Sequence, residues 1–156
     1  MIEWITIAAK AFWCGTAAVG FGILFNTPVK ALAPVWVGGF IAGLIKFSAL
    51  HPQFGVGIIG SSFIGAMASG MVIVFIANAQ NLPPTIIAVP SVIPLIPGVF
   101  AYKTMLGMMK LTRDIGDDYA AILSTTIYTG LKTLFIVLGI SLGIVIPIQL
   151  FRQKHS

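Results

Sequence analysis

From Tyr119 to Phe151 the chain carries a single charged side chain, Lys132. A helix needs about 20 apolar residues to cross the hydrocarbon core of a bilayer, and this stretch exceeds that length. Three more stretches of spanning length precede it. They are Ile2 to Phe25, closed by Asn26-Thr27-Pro28; Ala31 to Leu50, closed by His51-Pro52; and Phe54 to Ala79, closed by Asn81-Leu82-Pro83-Pro84. Only 8% of the 156 residues are charged, against about 25% in an ordinary soluble domain. So few polar groups cannot cover the surface of a small soluble protein. The pattern predicts an all-α integral membrane protein, a single transmembrane domain over residues 1–156, with about five hydrophobic segments.

The same arithmetic excludes a soluble enzyme, a nucleic-acid-binding domain and a disordered chain. The net charge of +5 comes from basic residues scattered singly. That suits a protein beside anionic lipid rather than one gripping nucleic acid. The single Cys14 can form no internal disulfide. No basic cluster leads the first apolar run, which carries Glu3 instead, so residues 2–25 read as a retained span rather than a cleaved leader.

The fourth segment, Ile86 to Leu111, contains Pro90, Pro94 and Pro97, followed by Gly98. Each proline lacks a backbone donor and crowds the preceding turn, so this segment cannot be one regular transmembrane helix. Pro97 is placed for the first turn of a new helix, where its missing donor costs nothing. That helix, Gly98 to Leu111, would be about 21 Å long, too short to cross alone. The segment is therefore expected to be proline-broken or re-entrant, and packed against protein or a water-filled cavity. The fifth segment is too long for one span. Its first section is expected in a cavity or interface, with a hinge at Gly130 and a span from about Leu131. Gly116-Asp117-Asp118 would start that helix, with a carboxylate at the positive dipole end. Arg152 and Lys154 favour a cytoplasmic C-terminus, while Lys110 and Arg113 argue the other way in a loop that also holds Asp114, Asp117 and Asp118.

Small residues recur at four-residue spacing. Gly57, Ser61, Gly65 and Ser69 form one row, Pro34, Gly38 and Ala42 a second, with Gly39 and Gly43 beside it; Gly139 and Gly143 follow in the last segment. Such rows let helix backbones approach closely, within one chain or between chains.

Four lysines enter the hydrophobic stretches. Lys10 and Lys46 lie near span ends, where snorkelling explains them. Lys103 shares a helix face with Lys110, and Lys132 adjoins Gly130; these fit either a substrate path or interfacial anchoring. Ser124, Thr125, Thr126, Tyr128 and Thr129 form a hydroxyl patch, either bonded to their own helix backbone or lining a path. Asn78, Gln80 and Asn81 read as a helix end. His51 and His155 are the only histidines. No zinc spacing, phosphate loop, nucleophile elbow or buried carboxylate pair is present, so neither an enzyme nor a metal or cofactor site is expected.

At Phe25-Asn26-Thr27-Pro28, and more strongly from Val89 to Tyr102, the sequence resembles the threonine/serine exporter family. It is similar to the family's small C-terminal-type membrane module, a separate subunit in split systems such as the bacterial succinate exporter. The resemblance covers nearly the whole chain: the order of spans, the Asn-x-Pro after the first, the Pro-x-x-Pro-Gly-x-x-x-Tyr element, and a basic tail. It implies export of a small carboxylate, either a threonine/serine-like amino acid or a dicarboxylate such as succinate. It also implies a companion subunit with the other membrane half, in a bacterial inner membrane. A broken helix with free N–H groups suits a carboxylate, which makes Pro94, Pro97, Gly98, Tyr102, Lys103, Thr125 and Lys132 the candidate path. The competing readings are a non-transporting assembly subunit and a homo-oligomeric pore.

Overall fold

A computed structural model describes residues 2–113 and 118–151. Its helices are α1 (Ile2–Leu24), α2 (Val29–Ala49), α3 (Ile58–Ala79), α4 (Pro84–Val92), α5 (Gly98–Leu111) and α6 (Tyr119–Phe151), with a 3-10 turn at Ile93–Leu95 after α4. No strand occurs among the described residues. Four of these helices are long and apolar enough to cross a membrane. The pair Pro84–Leu95 and Gly98–Leu111 is bent by 63° at its break, the geometry of a broken span or a re-entrant loop. The chain is thus an all-helical, multi-pass membrane protein with a broken fourth segment.

The two Asn-x-Pro sequences make the same turn. Asn26 and Asn81 both take positive φ, at 57° and 53°. Behind them, the N–H of Thr27 donates to Gly22 O at 2.9 Å, and that of Leu82 to Ala77 O at 2.9 Å. This closes each helix with a left-handed residue, and the proline that follows prevents its continuation. The third turn differs from expectation. Residues 54–57 lie outside α3, because Gly55 takes φ +59° and Gly57 is extended.

Small residues set the packing. Ser69 Oγ donates to Gly38 O at 2.9 Å, and a Cβ on Gly65 would come within 2.7 Å of Ala42 O, so the α3 row seats on α2 of the same chain. Gly39 and Gly43 face the other way, against Ala18 and Cys14 of α1. Ser61 is buried and bonds its own helix at Ile58 O. Gly57 departs from the predicted packing row: it sits ahead of the helix, and a Cβ there would meet nothing within 4 Å. Two buried clusters result, one around Val35, Ile73 and Ile87, the other around Leu95, Ile136 and Ile140.

α3 and α6 run parallel. Gly139 lies against Ile59, Gly143 against Phe63, and Gly70 against Pro147, while the Phe75 and Phe151 rings are 6.0 Å apart. The start of α3 is therefore level with the Gly139 region of α6. The preceding section of α6 projects about 28 Å past that level at 1.5 Å per residue, and α5 packs along it. No hinge occurs at Gly130: α6 is one helix from Tyr119 to Phe151. A glycine in a helix does not bend it unless a neighbour or a lost bond forces the bend. Gly130 instead gives room to Thr104 of α5, whose Cγ2 would be 3.2 Å from a Cβ. Of the expected start signal, Gly116 and Asp117 lie outside the described residues, as do Asp114, Arg152, Lys154 and His155.

Candidate functional site

The break between α4 and α5 follows from its prolines. Pro90 is accommodated inside α4, buried against the bundle. Pro97 has no N–H to return to Ile93 O, and the Ile96 N–H donates there instead at 3.0 Å. The Gly98 N–H turns back to Ile96 O at 2.9 Å. The chain then restarts as α5 with Pro97 just ahead of its first turn. These bonds leave the carbonyl of Leu95, a buried residue, without a helical donor. Such a group is costly in an apolar interior.

Lys46 supplies that donor. Its Nζ lies 2.7 Å from Leu95 O, and the side chain is 8% exposed. The snorkelling expected of Lys46 is therefore corrected: its ammonium turns inward, onto the break. Lys46 continues the α2 row Pro34, Gly38, Ala42 by one more four-residue step. That row is buried, so its periodicity was the signal that would have placed Lys46 inside. The Cβ of Lys46 also packs beside Gly65 of α3, which leaves the stem room to pass.

A second lysine flanks the break from α6. Lys132 Nζ lies 4.9 Å from the centre of the Phe100 ring and 5.3 Å from that of Tyr128, and 3.3 Å from Tyr128 Oη. Cation–π contact of this kind holds an ammonium beside an aromatic face. Phe100 is in the first turn of α5, so Lys132 meets the start of α5, while Lys46 meets the end of the preceding 3-10 turn.

The remaining candidates divide. Pro94 and Pro97 are half-buried at the break and Gly98 is exposed there. The N–H groups of Gly98 and Phe100 are already bonded, to Ile96 O and Pro97 O, which removes them from the free donors a half-helix start would offer. Tyr102 and Lys103 are exposed on α5, away from Lys46. Thr125 is exposed and donates to Ala121 O at 2.9 Å. Ser124, Thr126 and Thr129 likewise bond carbonyls of their own helix. Thr129 also accepts from Thr104 Oγ1 at 3.0 Å, tying α5 to α6.

Where α1 begins and α2 ends, five residues beyond Lys46, His51 Nε2 is 2.9 Å from Glu3 Oε2, and its ring stacks on Trp4 at 5.9 Å. A cavity of about 270 Å³ there is lined by Glu3, Lys10 and His51 among others. Lys10 is exposed over the Phe47 ring at 5.5 Å. Among the described residues no group of three His, Cys, Asp or Glu is placed to hold a metal ion.

Residues 10–150 match the family model described as "Threonine/Serine exporter, ThrE". The chain belongs to the threonine/serine exporter family. The match takes in the break and both lysines that flank it. An uncharacterised protein of Haemophilus influenzae is 31% identical over 138 residues, covering 88% of this chain and 45% of that protein. The exporter-family chain thus spans a little under half the length of this relative. No solved structure matches it.

Proposed function

We propose that this chain is one membrane half of a secondary exporter for a small carboxylate metabolite, a threonine/serine-like amino acid or a dicarboxylate such as succinate. It works with a companion that carries the other half, in a bacterial inner membrane. The observation that carries the reading is the α4–α5 break, flanked by Lys46 and Lys132. Non-helical backbone at membrane depth occurs where it lines a cavity or is buried in protein, and broken helices of this kind form midplane sites in transporters. Two cations beside such a break favour an anionic cargo. The relative's extra length supports a companion: the matching portion is 45% of that protein, which leaves room for a second membrane half in the same polypeptide.

Efflux from cells lacking both halves tests this. Cells loaded with labelled threonine or succinate should retain the label when neither half or only one is restored, and release it when both are. Release by the companion alone would make this chain an assembly subunit. Release by this chain alone would favour the homo-oligomeric pore.

A further inference from the structure

We infer that Lys46 is the carboxylate anchor of the transport path, occupied by the Leu95 carbonyl when no cargo is bound. The inference rests on the exporter reading above. It starts from an imbalance of charge. An ammonium carries three donors, and among the described residues the hydrogen bond that Lys46 makes is to Leu95 O. A carbonyl dipole offsets only part of a full charge taken out of water. Among the described residues no acidic side chain bonds Lys46. Glu3 is paired with His51, five residues beyond Lys46, and Asp118 is exposed ahead of α6. Among the described residues Lys46 is therefore a buried cation with no carboxylate bonded to it.

The partner that Lys46 does have is replaceable. Leu95 O belongs to a 3-10 turn followed by a bend, held by single backbone bonds at Ile96 and Gly98. A small shift of that turn would free both the ammonium and the carbonyl, without breaking a continuous helix. A carboxylate entering beside Lys46 gives a charge-assisted bond, stronger than the carbonyl it displaces. The ammonium thus favours the anionic end of a cargo, and the Leu95 carbonyl remains to accept from a hydroxyl or ammonium on the same molecule. Lys132, held on Phe100 and Tyr128, adds a second positive charge at the α5 side of the break.

The test is ligand-dependent thermal unfolding of the full chain, co-purified with the companion half in nanodiscs. The probes are succinate, threonine and the uncharged isostere succinamide. Succinate or threonine should raise the melting temperature of the wild type, succinamide should not, and Lys46→Met should abolish the difference. Lys46→Arg keeps the charge and should retain a weakened shift, which covers the case in which the Met variant folds poorly. Efflux by Lys46→Met at matched membrane abundance should fall at least about tenfold, the factor that corresponds to losing one modest ligand bond. Efflux with no Lys46-dependent shift overturns the anchor and leaves the exporter reading intact. A Lys46-dependent shift without efflux supports the anchor and overturns the exporter reading. A shift that is equal for succinate and succinamide overturns the anchor.

Discussion

Gly107 of α5 lies directly against Thr126 of α6: a Cβ added to Gly107 would collide with the Thr126 side chain. Together with the Thr104–Thr129 hydroxyl bond, this contact decides how closely the short helix rides on the long one. Gly107→Leu should force α5 away and cost about 1–3 kcal/mol, the usual penalty for overpacking a tight contact. Thermal unfolding in detergent would measure it. Adding Thr126→Ala should recover part of the loss, because the two sites share one contact. Equal stability of Gly107→Leu and wild type would mean that α5 is not seated there.

Gly39 of α2 and Gly57 ahead of α3 give a second comparison. A Cβ at Gly39 would stand 2.6 Å from that of Ala18, whereas one at Gly57 meets nothing. Gly39→Val should lower stability or membrane abundance clearly. Gly57→Ala should be neutral or gain about 0.4–1 kcal/mol through reduced freedom of the unfolded chain, since its φ of −64° is open to alanine. Loss of abundance from the Gly57 change, with none from Gly39, would contradict the α1–α2 packing.

Interhelical hydroxyls should matter modestly. Buried Ser91 shares its one hydroxyl hydrogen between Ile87 O, 2.7 Å away in its own helix, and Val35 O, 3.1 Å away in α2. Bonds of this type between membrane helices average about 0.6 kcal/mol. Ser91→Ala should therefore shift unfolding only slightly, while Ser91→Leu should be severe, because Gly38 lies against this side chain with no room to spare. Steric-trap or thermal unfolding would separate the two.

The Glu3–His51 pair is the weak contact by comparison. Glu3 is 77% exposed, and exposed ion pairs contribute about 0–1 kcal/mol. Glu3→Gln should leave folding and efflux nearly unchanged. Lys46→Glu should prevent stable accumulation in the membrane, because it sets a carboxylate against the Leu95 carbonyl with no donor between them. Immunoblots of membrane fractions would rank the pair, and a larger loss from Glu3→Gln would reverse the assignment.

The elements whose bounds depend on local chemistry were legible in the sequence. Gly98–Leu111 is the helix that the proline run predicts, because a missing N–H acts on its own neighbours whatever the rest of the chain does. The two Asn-x-Pro stops are equally local. Gly130 and Gly57 misled, one as a hinge and the other as a packing residue. A glycine permits a bend or a close approach, and only a neighbour determines whether either happens.

Lys46 marks the boundary most clearly. Composition alone determined that the chain lives in a membrane, since so few charges cannot clothe a soluble fold. Prolines alone determined that its fourth segment is broken. Neither could tell which lysine meets the break. Lys103, six residues along from Pro97, is exposed on α5, and Lys46, 49 residues from Leu95, bonds it. That pairing exists only because the small residues of α2 and α3 bring those backbones together, and so it was decided by tertiary packing.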